Sequence, residues 1–96
     1  MNDNGICFVL IARIPAAGIA DFQAYEDAVL PPLAAHGGVL QRRLRSDDAM
    51  TEVHLVWFPS EAVFERFRAD PERARHGPLM ARAGAATELL RLADVG

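Results

Sequence analysis

The side chains of this sequence that could carry chemistry cluster in and beside one short apolar segment. His54 lies in the apolar run 53–58 (VHLVWF), and Glu52 precedes it by two residues. Residues two apart in a strand share one face, so the carboxylate can fix the imidazole in one tautomer and make it more basic. Arg43, in the preceding segment, can bind an anionic or carbonyl-bearing ligand through two nitrogens. The alternative is a polar ladder between neighbouring strands that binds nothing.

Two further candidates come earlier in the chain. His36 stands before Gly37-Gly38 and can act as a general base, but a histidine in the last turn of a helix also interacts favourably with the helix dipole, and we favour that structural role. Tyr25 can donate a hydrogen bond to a ligand, or pack in the core with its hydroxyl at the edge, which is the simpler role. The catalytic candidates are therefore His54 and His36, and the ligand-binding candidates are Tyr25, Arg43, Glu52 and Trp57.

Charge and composition argue against several classes of protein. The chain has 96 residues, a net charge of −3, ten arginines and no lysine, so we expect no nucleic-acid binding, which needs a clustered positive excess. The three histidines lack metal-ligand spacing and the one cysteine stands alone, so we expect no metal and no cofactor. The first apolar run is too short to span a membrane and follows no basic leader, which predicts a cytoplasmic protein without a membrane partner.

The elements that must position these side chains are four strands and two helical segments. Two apolar runs, 6–12 (ICFVLIA) and 53–58, do not alternate between apolar and polar residues, which indicates strands covered on both faces. The order predicted for the single domain 1–96 is β-α-β-β-α-β, an α+β ferredoxin-like fold with a four-stranded antiparallel sheet and helices on one face. The strands are predicted at 6–14, 39–45, 52–58 and 87–93.

Local signals set the helix ends and the strand faces. Helix starts are expected near Ala20, at Ser60 and at Asp70, and a glycine after His36 is expected to end the first helix. Pro31-Pro32 should kink or restart that helix, because each ring removes a backbone donor. Gly77-Pro78 should interrupt the last helical segment. In the second strand, strict alternation places Leu40, Arg42 and Leu44 on one face and Gln41, Arg43 and Arg45 on the other.

One face of this sheet is left without helices. The first and third strands are central in the predicted topology, and they are the two apolar runs. Their residues on the helix-free face need a cover, and 51% hydrophobic residues is a high fraction for so small a domain. We therefore predict a homodimer in which the two sheets pack face to face, a dimeric α+β barrel.

A series of short segments resembles the dimeric α+β barrel superfamily, and within it a small family near the NIPSNAP group. The segments are Tyr25-Glu26, Leu30-Pro31-Pro32-Leu33, His36-Gly37-Gly38, Glu52-Val53-His54-Leu55, Phe58-Pro59-Ser60 and Asp70-Pro71-Glu72. The resemblance implies a ligand site between the sheet and the helices of each protomer. It implies little about the reaction, because the superfamily includes cofactor-independent monooxygenases, isomerases and haem-degrading enzymes.

Three functions follow as hypotheses. The first is binding of a small, partly apolar molecule between sheet and helices. The second, which leaves open whether the protein is an enzyme, is a cofactor-independent monooxygenase or isomerase with His54 or His36 as base and Arg43 on the developing enolate. The third is a purely structural role. A haem-degrading relative is a further alternative, since Trp57 and His76 resemble the haem-contacting residues in order, but their spacing differs and the first strand lacks the expected asparagine.

Overall fold

A computed structural model describes residues 5–96. The prediction that no basic leader precedes the first apolar run concerns residues 1–4, which lie outside the described residues. The strands are β1 (Ile6–Arg13), β2 (Val39–Arg45), β3 (Thr51–Phe58) and β4 (Ala86–Leu92). The helices are α1 (Ile19–Ala35), α2 (Glu61–Arg68), α3 (Pro71–Ala74) and α4 (Gly77–Ala83), and a short 3₁₀ turn (Ala16–Gly18) precedes α1. The element order is the predicted one, with α2 to α4 forming the second helical segment.

The four strands form one antiparallel sheet in the order β2-β3-β1-β4. The two apolar runs are thus the central strands, as predicted. Their register pairs Leu10 with His54 and Ala12 with Glu52. Directly paired residues of antiparallel strands point to the same face, so the alternation along β1 assigns the faces of the whole sheet. The buried Ile6, Phe8 and Ala12 place this set on the helix side.

Side-chain caps start the helices where the sequence predicts them. The Ser60 hydroxyl accepts a hydrogen bond from the Val63 amide at 3.2 Å, and the Asp70 carboxylate accepts one from the Glu72 amide at 2.8 Å. At the end of α1, Gly37 has φ of 83°, and the amides of Gly37 and Gly38 donate to the carbonyls of Ala34 and Leu33. This left-handed glycine cap turns the chain from α1 into β2.

The two prolines of α1 do not restart it, and a restart was one of the two outcomes predicted for them. Pro31 and Pro32 lie inside one helix that continues to Ala35. The proline φ angle is compatible with a helix, and the loss is confined to the amides of two consecutive residues near the C-terminus. Packing of Val29, Pro32 and Leu33 into the protein interior offsets that loss.

A β-bulge in β2 also changes a prediction. The register with β3 pairs Leu40 with Val56 and Arg42 with Leu55, which leaves Gln41 as an extra residue. After the bulge the alternation is shifted by one residue. Leu40, Arg43 and Arg45 therefore share the helix side, whereas Arg42 and Leu44 face away. The prediction that grouped Leu40 with Arg42 was wrong, because strict alternation does not allow for the inserted residue.

The opposite side of the sheet is largely apolar, and no helix of residues 5–96 covers it. We call it the outer face, and its apolar members are Val9, Ile11, Val39, Leu44, Val53, Leu55, Trp57, Leu90 and Leu92. Val39, Leu44, Leu90 and Leu92 are exposed, and the other members are partly so. None of the helices in residues 5–96 has the length and apolarity needed to cross a membrane.

Candidate functional site

A cavity of about 550 Å³ lies between the sheet and the helices. This is within the range of small-molecule pockets in proteins. Most of its wall is apolar and includes Phe8, Leu10, Val29, Val56, Phe64 and Phe67. Polar side chains also line it, and they are Tyr25 and Glu26 from α1, His54 from β3, Glu61, Glu65 and Arg68 from α2, Arg73 from α3, and Thr87 and Arg91 from β4. The helix side of the sheet thus holds a space with both apolar and polar walls.

His54 is held in one tautomer by the residue two positions before it. Its Nε2 lies 2.8 Å from Oε1 of Glu52, whose side chain is completely buried. Burial by itself would raise the Glu52 pKa, but hydrogen bonds from Arg43, His54 and Arg45 outweigh it and lower that pKa to about 2. Glu52 is therefore an ionised acceptor, so Nε2 carries the proton and donates it. The other ring nitrogen, Nδ1, is then a bare acceptor in the neutral ring.

Burial also sets the charge of His54. The residue is 3% exposed, and burial lowers its pKa below the ordinary value, although the hydrogen bond to Glu52 opposes that shift. The neutral imidazole is therefore the favoured form near neutral pH. A neutral histidine that donates a hydrogen bond from one ring nitrogen and has a second, unprotonated nitrogen is in the form that a general base requires.

Glu26 is a site residue that the sequence analysis missed. Its Oε1 lies 3.7 Å from Nδ1 of His54, too far for a hydrogen bond, and both residues line the cavity. Burial raises the pKa of Glu26 to about 7, against the opposing charge of Arg43. The sequence does contain a signal, because Glu26 falls at helical spacing between Phe22 and Val29 on the buried face of α1.

Tyr25 lies beside Glu26 at the cavity. Its side chain is buried, and within residues 5–96 no hydrogen bond involves its hydroxyl. Burial raises the pKa of the phenol, and the charge of Arg73 opposes that rise. Tyr25 can therefore donate a hydrogen bond into the cavity at neutral pH.

Arg43 and Glu52 stand behind His54 and do not line the cavity. Arg43 Nε donates to Glu52 Oε1 at 2.9 Å, and its Nη1 donates to Asp27 at 3.1 Å. Arg45 Nε donates to the second Glu52 oxygen at 2.7 Å. The structure thus brings Arg43, Glu52 and His54 together through the bulge in β2, in a network that orients the imidazole.

The other two candidates lie elsewhere. His36 caps α1 and its Nε2 is 2.8 Å from Oδ2 of Asp70, so it links α1 to the start of α3, outside the cavity wall. Trp57 belongs to the outer face, where it is paired with Cys7 and Val39, and is therefore on the opposite side of the sheet from the cavity.

The structure does not bring the haem-like pair together. His76 precedes α4 in the helix layer and its Nε2 is 3.7 Å from Glu72, whereas Trp57 is on the outer face. Within the described residues, no group of three or more histidine, cysteine, aspartate or glutamate side chains is arranged to hold a metal ion.

Comparisons with known proteins identify the fold. No protein-family model matches the sequence, and no curated protein matches it significantly. Among solved structures, SnoaB, a cofactor-independent oxygenase from Streptomyces nogalater, superposes with a TM-score of 0.80 at 18% identity over 97% of this chain and 95% of its own. An antibiotic biosynthesis monooxygenase from Bacteroides thetaiotaomicron, provisionally named as such, gives a TM-score of 0.84 at 12% identity over 99% and 93%.

A third structure, Rv0793 from Mycobacterium tuberculosis, gives a TM-score of 0.77 at 15% identity over 96% of both chains. These similarities cover nearly the whole of each chain at identities that establish a shared fold only. The chain therefore has a ferredoxin-like α+β fold, as the sequence predicts, and it shares this fold with the three structures.

Proposed function

We propose that this protein binds a small, partly apolar molecule in the cavity between its sheet and helices. The observation that supports this most directly is the polar end of the cavity. Tyr25, Glu26 and His54 are each at least nine-tenths buried, and each has a polar atom that makes no hydrogen bond among residues 5–96. Because no fully buried side-chain polar atom in that range lacks a partner, these atoms are accessible from the cavity, where they can bond to polar groups of a mainly apolar ligand.

Ligand binding can be tested with a variant that fills the cavity. Leu10→Trp adds a large side chain to the cavity wall, whereas Arg75→Gln changes an exposed residue outside it. We expect 2-naphthol to shift the NMR signals of His54 and Tyr25 in the parent protein and in Arg75→Gln, and to bind Leu10→Trp at least tenfold more weakly. Unchanged affinity in a folded Leu10→Trp protein would contradict the proposal.

A second candidate function is removal of a proton from the bound molecule, with His54 as the base. It is supported by the bare Nδ1 of a neutral, fixed imidazole at the cavity, and by the fold shared with a cofactor-independent oxygenase. His54 would take a proton from a carbon beside a carbonyl group and leave an enolate. Arg43 is engaged by Glu52 and Asp27, so its part would be to position His54 through Glu52.

The fate of the enolate distinguishes an oxygenase from an isomerase. Reaction of a CH₂ group with one O₂ gives a carbonyl and one water, with the carbon oxidised and O₂ reduced. Return of the proton to another carbon gives an isomer and consumes no O₂. The probe 2-tetralone, an enolisable bicyclic ketone, should exchange its acidic hydrogens with D₂O faster in the presence of the protein. His54→Gln should lose this acceleration, and an oxygen electrode would separate the two reactions.

The homodimer belongs to this proposal as well. The apolar outer face has no cover within residues 5–96, and a second copy of the chain offers a surface of the same shape and polarity. Two such sheets packed together would complete the predicted barrel and leave a cavity in each protomer. The relation to the NIPSNAP group stays a prediction from the sequence.

A further inference from the structure

Three arginines line the cavity, and one of them differs from the others in its partners. Arg91 Nη1 lies 2.7 Å from Glu61, and Arg68 Nη1 lies 3.8 Å from Glu65. Arg73 has no carboxylate within 4.0 Å among residues 5–96. Its one hydrogen bond in that range is from Nη1 to the backbone carbonyl of Arg68, at 3.3 Å. Four of its five N–H groups are therefore available to another acceptor.

The guanidinium of Arg73 is also held at a defined place. Its Cζ lies 5.2 Å from the centroid of the Phe67 ring, and Phe67 is part of the cavity wall. Stacking on an aromatic ring holds a guanidinium while leaving its edge free to donate hydrogen bonds. The charge of Arg73 acts on both Tyr25 and Glu26, whose pKa values it lowers against the effect of burial. Arg73 thus belongs to the polar end of the cavity.

From this arrangement we propose that Arg73 is the specificity-determining residue of the cavity, and that the ligand is an apolar ring compound bearing an acidic oxygen, as a carboxylate, phenolate or enolate. This inference rests on the proposed binding function and adds the chemical class of the ligand. Arg73 would bind the anionic oxygen through two N–H groups, and the Tyr25 hydroxyl would donate a further hydrogen bond. The ring would occupy the part of the cavity walled by Phe8, Phe64 and Val56.

The carboxylates near Arg73 do not remove the preference for an anionic ligand. Glu61 and Glu65 are each paired with another arginine. Glu26 shares the polar end, but burial favours its neutral form up to about pH 7. A neutral Glu26 can donate a hydrogen bond to the same ligand, and it adds no negative charge. Arg73, which has no carboxylate partner among residues 5–96, therefore leaves a net positive charge where the ligand would bind.

A matched pair of compounds tests the inference. The compounds 2-naphthoate and 2-naphthamide share a ring and a similar shape, but only the first is an anion. At pH 6.5 we expect the protein to bind naphthoate at least tenfold more tightly by calorimetry. Arg73→Gln should abolish this preference with little effect on naphthamide, Arg73→Lys should keep part of it, and Arg75→Gln, which changes an exposed arginine of the same region, should keep all of it.

The possible results distinguish a failure of the inference about Arg73 from a failure of the proposed binding function. Equal affinity for the two compounds in the parent protein, or an undiminished preference in a folded Arg73→Gln variant, would overturn the role of Arg73 and leave the binding function standing. If neither compound shifts the NMR signals of His54 and Tyr25, the binding function is contradicted and the inference falls with it.

Discussion

Three buried ionisable residues show how surroundings give similar side chains different roles. Glu52 accepts four charge-assisted hydrogen bonds from three residues and stays ionised, with a pKa of about 2. Glu26 is buried without such bonds, and its pKa rises to about 7. His54 lies between them and is held neutral by burial. Neighbouring groups whose pKa values are shifted apart in this way are typical of acid–base sites.

The raised pKa of Glu26 makes a prediction about stability. A carboxyl whose pKa is higher in the folded protein stabilises it fully at acidic pH, and this contribution is lost between the unfolded value of 4.5 and the folded value of about 7. Glu26→Gln removes this pH dependence. As pH rises from 5 to 8, the free energy of unfolding of the variant should therefore increase relative to that of the parent protein, by at most about 3 kcal/mol. Urea unfolding at the two pH values measures the gain.

The exposed Glu72→Gln variant is the control for the loss of one carboxylate. A difference between Glu26→Gln and the parent protein that is constant from pH 5 to 8 would mean that Glu26 is ionised in the folded protein across that range. The role of Glu26 as a neutral hydrogen-bond donor would then have to be given up.

Among single residues, the sequence identified His54 and Glu52 as neighbours because their relation is local. Two positions in a strand share a face wherever the strand lies. Glu26 and Arg73 were missed because their relation to His54 spans three different elements. For Glu26 the sequence does contain a signal, because a carboxylate among the apolar residues of one helix face is unusual. For Arg73 no comparable signal exists, since the helix it belongs to is only four residues long.

At the scale of the elements, one inserted residue decides what β2 contributes to the site. The bulge at Gln41 returns Arg43 to the side of Leu40 and pairs it with His54. Without the bulge, continuous alternation from Leu40 would place Arg42 there. Bulges depend on how a strand fits its partner, so they are not visible in the strand's own pattern. Helix caps, in contrast, are set by a few adjacent residues, and the caps at Ser60, at Asp70 and at a glycine after His36 were all predicted.

The glycine cap between α1 and β2 can be tested directly. Gly37 has φ of 83°, which an alanine side chain disfavours, so Gly37→Ala should lower the free energy of unfolding by about 1–2 kcal/mol. Gly77→Ala is a matched control, because a methyl group there meets nothing within 4 Å and φ is not positive. Chemical denaturation measures both. An equal effect of the two substitutions would show that the cap does not depend on the left-handed conformation.

At the scale of the whole molecule, the sheet has two faces of different character. The helix side contains the cavity, and the outer face is apolar and bare within the described residues. The predicted homodimer would use the second surface and leave the first free for a ligand. Trp57 would then act at the interface between protomers, and His54 at the cavity, although they are three residues apart in one strand.

A single charge should separate the protomers. Leu55 is a central residue of the outer face, so Leu55→Arg would bury a charge against the partner sheet and favour the monomer. Ala62→Arg introduces the same charge on the exposed surface of α2 and should leave the oligomeric state unchanged. Light scattering at micromolar concentration should give a dimer for the parent protein and for Ala62→Arg. A monomeric parent protein would refute the homodimer.

The order of strands and helices and the caps could be read from the sequence, because each depends on residues that are close in the chain. The central position of the two apolar runs followed from that order and from their lack of alternation. The composition of the cavity could not. His54, Glu26 and Arg73 meet through the pairing of β1 with β3, the packing of α1 on the sheet and the placement of α3. These are contacts between distant segments, and a shift of one residue in any strand would turn its side chains to the other face. Folding therefore determines which of the polar side chains come together at one site.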